Sequence, residues 1–257
     1  MNPLLDLAAR PVIGHRGAAA YAPENTLASF RLGLELGADA LEFDLRRSKD
    51  GIAVVMHDPT LDRTTDRTGS VAAYTAAELA AVDAGYRFDA HGDGEFGFRG
   101  QGIGVPTLRE VITTFPGVPL LIEIKEPEVQ EAVARDLLDL GAADRAVVAG
   151  DDWRALTAFE AAPFHRGASR RDITRLKFGW GAPASSCRLF AVPDQYFGLP
   201  VPSRGFVSAA HRRNSTVHVW TVDSARAALA LWRRGANGIV TNAPDVIRGA
   251  LRSGLMG

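Results

Sequence analysis

Ala40-Leu41-Glu42-Phe43-Asp44-Leu45-Arg46-Arg47-Ser48-Lys49-Asp50-Gly51-Ile52-Ala53-Val54-Val55-Met56-His57-Asp58 is the stretch whose reading decides the fold. In a strand, successive side chains point to opposite faces, so Leu41, Phe43 and Leu45 share one face while Glu42 and Asp44 share the other. If the apolar face packs on helices, the two carboxylates point into a barrel or crevice. An unpaired carboxylate there costs several kcal/mol, roughly, unless a metal or a counter-charge compensates it. The run Leu120-Leu121-Ile122-Glu123-Ile124-Lys125 repeats the pattern, with Glu123 and Lys125 on one face. A solvated edge strand would explain one such run; two of them argue for a shared polar interior.

Asp50-Gly51 between apolar runs is a strong hairpin signal and folds 52–58 back antiparallel on 40–46. With Asp50 and Gly51 as the central turn residues, His57 falls opposite Asp44. The histidine thus reaches the carboxylates on a hairpin arm, which leaves eight further strand candidates: 11–17, 40–46, 119–125, 145–150, 165–169, 189–195, 216–222 and 238–242. Helix-periodic runs follow them at 24–36, 129–140, 153–162, 172–180, 203–213, 224–234 and 244–252, several closed by glycine as at Gly37, Gly141 and Gly235. About eight strand-helix units imply a parallel sheet closed as a (β/α)8 TIM barrel, rather than an open doubly wound sheet.

The rhythm breaks between 59 and 104, an insertion after the second strand with a short helix expected at 76–83 and a glycine-rich stretch carrying Phe88, Phe96 and Phe98. Long irregular segments of this kind are lids or binding loops. With no Pro, Gly or Ser-rich linker between two cores, residues 1–257 read as a single barrel domain.

Composition sets the remaining bounds. The chain has 257 residues, 46% hydrophobic and 23% charged, which suits one barrel of this class. A formal net charge of −1 gives no general attraction to nucleic acid or to an anionic membrane, so any anion must be held locally. The lone Cys187 allows no internal disulfide, and residues 1–10 show neither a basic leader nor a membrane-spanning run. The expectation is a cytoplasmic protein without stable membrane insertion.

In barrels of this class the reacting groups gather where strands end. His15-Arg16-Gly17, Glu24-Asn25-Thr26, Glu42-Phe43-Asp44, His57-Asp58-Pro59, Thr107-Leu108, Glu123-Ile124-Lys125, Trp220-Thr221-Val222 and Gly238-Ile239-Val240-Thr241-Asn242-Ala243-Pro244 stand in that order. In this order and spacing the set resembles the glycerophosphodiester phosphodiesterase family, from about Val12 to Ile247, most specifically in the first half and weakly between 151 and 207.

The resemblance implies a divalent ion held by Glu42, Asp44 and Glu123, a set of hard oxygens suited to Mg2+ or Ca2+ rather than zinc. Against these three carboxylates, Arg16 and Lys125 leave the site at net −1, which would repel a phosphodiester; a divalent ion turns it to +1. By the same resemblance His15 and His57 form the general acid/base pair, with the two roles left open between them. Arg16 and Lys125 would hold phosphoryl oxygens, and Trp220 would line the glycerol or alcohol face. Asn25 would cap the first helix and face the phosphate.

Glu24 either supports the metal and Arg16 or supplies charge to the first helical turn. The family usually carries Asp where Asn242 stands, a difference that bears on any role of the final strand and leaves the metal set untouched. His91, His165, His211 and His218 have no carboxylates patterned around them and read as structural or solvated. The activity implied is metal-dependent hydrolysis of small-molecule glycerophosphodiesters to glycerol 3-phosphate and an alcohol. The alternatives are phospholipase D-like hydrolysis of lysophospholipids and a catalytically silent phosphoester-binding barrel. The alcohol, the choice of metal and the oligomeric state stay open at this level.

Overall fold

The computed structural model describes residues 2–196 and 199–254. Its strands run in chain order as β1 (Val12–His15), β2 (Ala40–Arg47), β3 (Ala53–Val55), β4 (Leu120–Ile124), β5 (Ala146–Ala149), β6 (His165–Gly167), β7 (Cys187–Pro193), β8 (Gln195–Tyr196), β9 (Leu199–Pro200), β10 (Thr216–Trp220) and β11 (Gly238–Thr241). The α-helices are α1 (Leu27–Glu35), α2 (Ala76–Ala80), α3 (Leu108–Thr114), α4 (Gln130–Asp139), α5 (Arg170–Phe178), α6 (Arg204–His211), α7 (Ala225–Arg233) and α8 (Pro244–Gly254). All strands but β3, β8 and β9 are parallel, and pairing of β1 with both β2 and β11 closes them into an eight-stranded barrel. This is the TIM barrel expected from the alternation of strands and helices.

The sorting of side chains follows the pleat. Leu41, Phe43 and Leu45 of β2 are fully buried against Phe30, Leu108, Val111 and Val133 of the surrounding helices. Inside, Leu4, Ile13, Ala40, Leu121, Val147, Leu189 and Val240 form an apolar layer. Below it, the Leu4 carbonyl accepts hydrogen bonds from Thr216 Oγ1 at 2.7 Å and His218 Nε2 at 2.9 Å, so the N-terminal segment plugs the barrel floor. Above that layer the inward positions become polar. Asp44 pairs in register with Glu123 and His15 with Glu42, which sets these side chains at one level near the C-terminal mouth.

The hairpin forms, one residue out of the expected register. Leu45 pairs with Val55 and Arg47 with Ala53, and the Met56 amide donates to the Asp44 carbonyl at 3.0 Å, so Met56 rather than His57 lies across from Asp44. The cause is the turn. Ser48 pairs with Ile52 around a three-residue loop, with Gly51 in the left-handed region at φ +80° instead of a two-residue turn centred on Asp50-Gly51. β3 is short, and His57 leaves it as the chain turns over the mouth.

Two expected helices also differ. The segment after β5 is a 3-10 helix, Trp153–Phe159, because its large buried residues Leu156 and Phe159 are three apart, the period of that tighter helix. Helix α1 starts at Leu27 behind its N-cap Thr26, so Glu24 and Asn25 precede the helix and neither caps it.

The insertion builds a small core of its own from Val54, Met56, Leu61, Val71, Leu79, Val82 and Val105. In its glycine-rich part Phe88 and Phe98 meet edge to face at 5.5 Å, and the Arg99 guanidinium lies 4.0 Å from the Phe96 ring centroid. These aromatics pin the segment to itself. No helix among the described residues is long and apolar enough to cross a membrane.

Candidate active site

Each predicted group arrives at the mouth by a local device. Arg16, at φ +51°, and Asn25, at φ +60°, occupy the left-handed region that non-glycine residues seldom adopt. Between them, the Asn25 amide donates to the Arg16 carbonyl at 3.1 Å, and Gly17, at φ +93°, sits where any Cβ would lie 2.4 Å from Ser29 Oγ. The chain after β1 is therefore folded tightly under the mouth. It aims the Arg16 amide at Glu42 Oε2, 3.0 Å away.

Glu42, Asp44 and Glu123 each bring a carboxylate oxygen within 4.8 Å of the other two. Asp44 is the compensated member of the group: Lys125 Nζ lies 2.9 Å from Oδ1, and Asn25 Nδ2 donates to Oδ2 at 2.9 Å. Arg16 Nε is 3.1 Å from the same Oδ2, outside hydrogen-bond geometry. Burial would push the Asp44 carboxyl up, but Lys125, then Arg16 and Asn25 outweigh it and hold it below the usual range. Lys125 also reaches Glu123 Oε1 at 2.7 Å.

Glu42 differs. Among the described residues no Lys or Arg lies within ion-pair distance of it, and His15 Nε2 stands 4.0 Å from Oε2. Burial, then repulsion from Asp44 and Glu123, raises its carboxyl well above the ordinary range, and Glu123 is raised by burial as well. An under-compensated cluster of three carboxylates, two buried and Glu123 half-buried, fits a divalent cation bound by hard oxygens.

The histidines flank this cluster. His57 Nδ1 lies 2.6 Å from Asp58 Oδ1, and a carboxylate only accepts, so Nδ1 carries the proton and faces Asp58, leaving Nε2 as the other ring nitrogen. His15 Nδ1 lies 2.7 Å from Asn242 Oδ1. Burial, then the charge of Arg16, pushes the His15 ring below its ordinary value, so it is neutral at neutral pH.

Glu24 does not supply charge to the first turn of α1; it pairs with Arg16, accepting from Arg16 Nη1 at 2.7 Å, and accepts from Arg63 Nη1 and Nη2 at 2.8 and 2.7 Å. Arg63 Nε in turn donates to Asp58 Oδ2 at 2.6 Å, and this bond, working against burial, lowers Asp58 to about 2. An unbroken chain thus links His57, Asp58, Arg63, Glu24 and Arg16. Trp220 ends β10 at the mouth and is 41% exposed, which leaves a ring face available to a ligand.

Asn25, expected to cap α1, is instead committed to Asp44. His91 is exposed, His165 half-buried, His211 bonds Asn237 and His218 sits in the floor; none of these joins the cluster. Arg63 and Asp223 were not signalled by sequence reasoning, and Asp58 stood within the His57-Asp58-Pro59 motif without a role of its own. Asp223 adjoins the Trp220-Thr221-Val222 motif and could have been found there. Arg63 lies in the aperiodic insertion, with no local pattern to single it out.

The chain matches the glycerophosphoryl diester phosphodiesterase family over residues 15–162 and 180–246. It belongs to that family. The Bacillus subtilis protein YhdW is 31% identical over 92% of this chain and 96% of its own length. A glycerophosphodiester phosphodiesterase of Caldanaerobacter subterraneus is 29% identical over 95% of this chain and 98% of that one. Among solved structures, an Oleispira antarctica phosphodiesterase in complex with the product sn-glycerol-3-phosphate aligns with a TM-score of 0.78 at 27% identity, covering 95% of this chain and 97% of that one.

Proposed function

We propose that this chain is a metal-dependent glycerophosphodiester phosphodiesterase, releasing glycerol 3-phosphate and an alcohol from substrates such as glycerophosphocholine or glycerophosphoethanolamine. The observation that carries the reading is the convergence of Glu42, Asp44 and Glu123 at one point, flanked by two histidines that each turn Nε2 away from a fixed partner. The product held by the Oleispira relative is the one expected here.

Glu42, Asp44 and Glu123 would hold Mg2+ or Ca2+, and a bound ion supplies charge that polarises a phosphoryl oxygen. The protein's own groups do the rest. Arg16 and Lys125 neutralise phosphoryl oxygens at the rim of the carboxylate cluster, and the exposed ring of Trp220 packs on the glycerol carbons. Neutral His15 accepts at Nε2 the proton of the attacking oxygen, the vicinal glycerol hydroxyl or water. His57, backed by Asp58 at Nδ1, acts as the general acid, donating from Nε2 to the departing alkoxide as the phosphorus–oxygen bond breaks.

Phe88 and Phe98 contact each other, as Phe96 contacts Arg99, so nothing in the insertion favours an acyl-chain substrate. The test is a panel of glycerophosphodiesters and a lysophospholipid, read by glycerol 3-phosphate release. Turnover of the water-soluble diesters is expected; release of the free alcohol from the lysophospholipid alone would overturn the substrate class.

A further inference from the structure

Asp223 lies in the loop between β10 and α7, and Asn242 directly follows β11. Barrel closure sets β10, β11 and β1 side by side, so Asn242 meets His15 at the end of β1 and Asp223 stands behind Asn242. Asp223 Oδ1 accepts from the Asn242 backbone amide at 2.7 Å and from Thr241 Oγ1 at 2.8 Å; Oδ2 accepts from Asn242 Nδ2 at 2.8 Å. The Thr241 hydroxyl is itself an acceptor for the Ala243 amide, at 3.1 Å. Its proton is thus free for Asp223.

A carboxylate only accepts hydrogen bonds, so the edge of the Asn242 amide facing Asp223 is the NH2 edge. The other edge, Oδ1, then faces His15 Nδ1 at 2.7 Å and requires a proton there. The tautomer of His15 follows from a residue that never touches it. With Nδ1 protonated, the lone pair stands on Nε2, the nitrogen on the Glu42 side of the ring.

We propose that Asp223 is a positioning residue for the reaction: through the Asn242 amide it fixes His15 in the Nδ1–H tautomer and so supplies the site with a proton acceptor at Nε2. This rests on the phosphodiesterase reading above, but the tautomer itself is observable without turnover. The hydrogen-bond inventory also dictates how variants behave. In Asp223→Asn one carbonyl oxygen must serve three donors, the Asn242 amide is released to rotate, and its NH2 can face His15, which moves the ring proton to Nε2. In Asn242→Asp two carboxylates oppose each other where a donor and an acceptor now meet. In the double exchange, the carboxylate moved to position 242 accepts from His15 Nδ1 and from the NH2 moved to position 223. The side-chain carbonyl at position 223 then accepts from the backbone amide of residue 242 and from Thr241 Oγ1. Every donor again has an acceptor.

The test combines kinetics on glycerophosphocholine with long-range 1H–15N spectra of the His15 ring near neutral pH. Asp223→Asn and Asn242→Asp are each expected to lower kcat by about 10-fold or more with little change in KM, as for other residues that orient a reacting histidine. The double exchange is expected to recover kcat to within about 3-fold of the parent. The parent and the double exchange should show a protonated Nδ1 and an unprotonated Nε2, and Asp223→Asn a shift toward the opposite tautomer. A protonated Nε2 in the parent overturns the proposal, even if a single variant fails to fold. So does wild-type kcat in a folded Asp223→Asn, or a double exchange no better than the singles. Absence of glycerol 3-phosphate release by the parent would instead remove the phosphodiesterase reading, with the spectra still deciding the tautomer.

Discussion

At the scale of single residues, the site separates charge by partner. Asp44 is tied to Lys125 and Asn25, Glu42 to no Lys or Arg side chain among the described residues, and the two histidines to an amide and a carboxylate respectively. Under the proposed mechanism, this division gives His15 and His57 different tasks with the same nitrogen, Nε2. Replacing either by alanine is expected to lower kcat by about 10²-fold or more while KM changes little, since each contributes chiefly in the transition state. Steady-state kinetics on glycerophosphocholine checks this, and near-normal kcat in either variant removes its catalytic role. The carboxylates were legible because charged residues two apart inside apolar strands have no comfortable structural use, and the histidines through the family resemblance of their motifs. The partners were not: Arg63 comes from the insertion and Asp223 from a loop, and a partner chosen by three-dimensional proximity leaves no periodic trace.

At the scale of elements, the barrel strands and most helices were readable because their burial pattern is written in the sequence with periods of two and 3.6. The errors fell where a local choice of turn or cap decides the outcome. The Asp50-Gly51 hairpin took a three-residue loop and shifted His57 by one position, and Thr26 rather than Asn25 became the cap of α1. The stretch after β6 shows what such a junction is worth. Ser169 caps α5 in a reciprocal box with Asp172, and Asp172 Oδ2 also accepts from Arg166 Nη2 at 2.9 Å, with Arg166 only 2% exposed. Asp172→Ala removes the cap partner and leaves a buried guanidinium without its counter-charge, so a loss of about 3–5 kcal/mol is expected in urea unfolding. A loss below about 1 kcal/mol would show that Arg166 finds another partner or reaches water.

At the scale of the whole molecule, the barrel is polar at its mouth, apolar through its middle and plugged at its floor by the N-terminal segment. The floor carries a pH signature of its own. Burial lowers His218 from 6.5 to about 4, so between these values the unfolded chain binds a proton that the folded one does not. Stability therefore falls as pH drops through that window and levels off below it, a change on the order of 3 kcal/mol from this group. Urea unfolding at about pH 7 and pH 4.5 should show a smaller acid loss in His218→Gln than in the parent, and equal losses would contradict the assignment. At the mouth, two buried carboxylates and the half-buried Glu123 are proposed to form a site whose chemistry depends on a divalent ion. The direct measurement is glycerol 3-phosphate release from glycerophosphocholine by protein treated with chelator and then resupplied with Mg2+ or Ca2+. Turnover should vanish on chelation, return with one of the two ions, and fail to return in Glu42→Ala; full activity in the presence of chelator would contradict it.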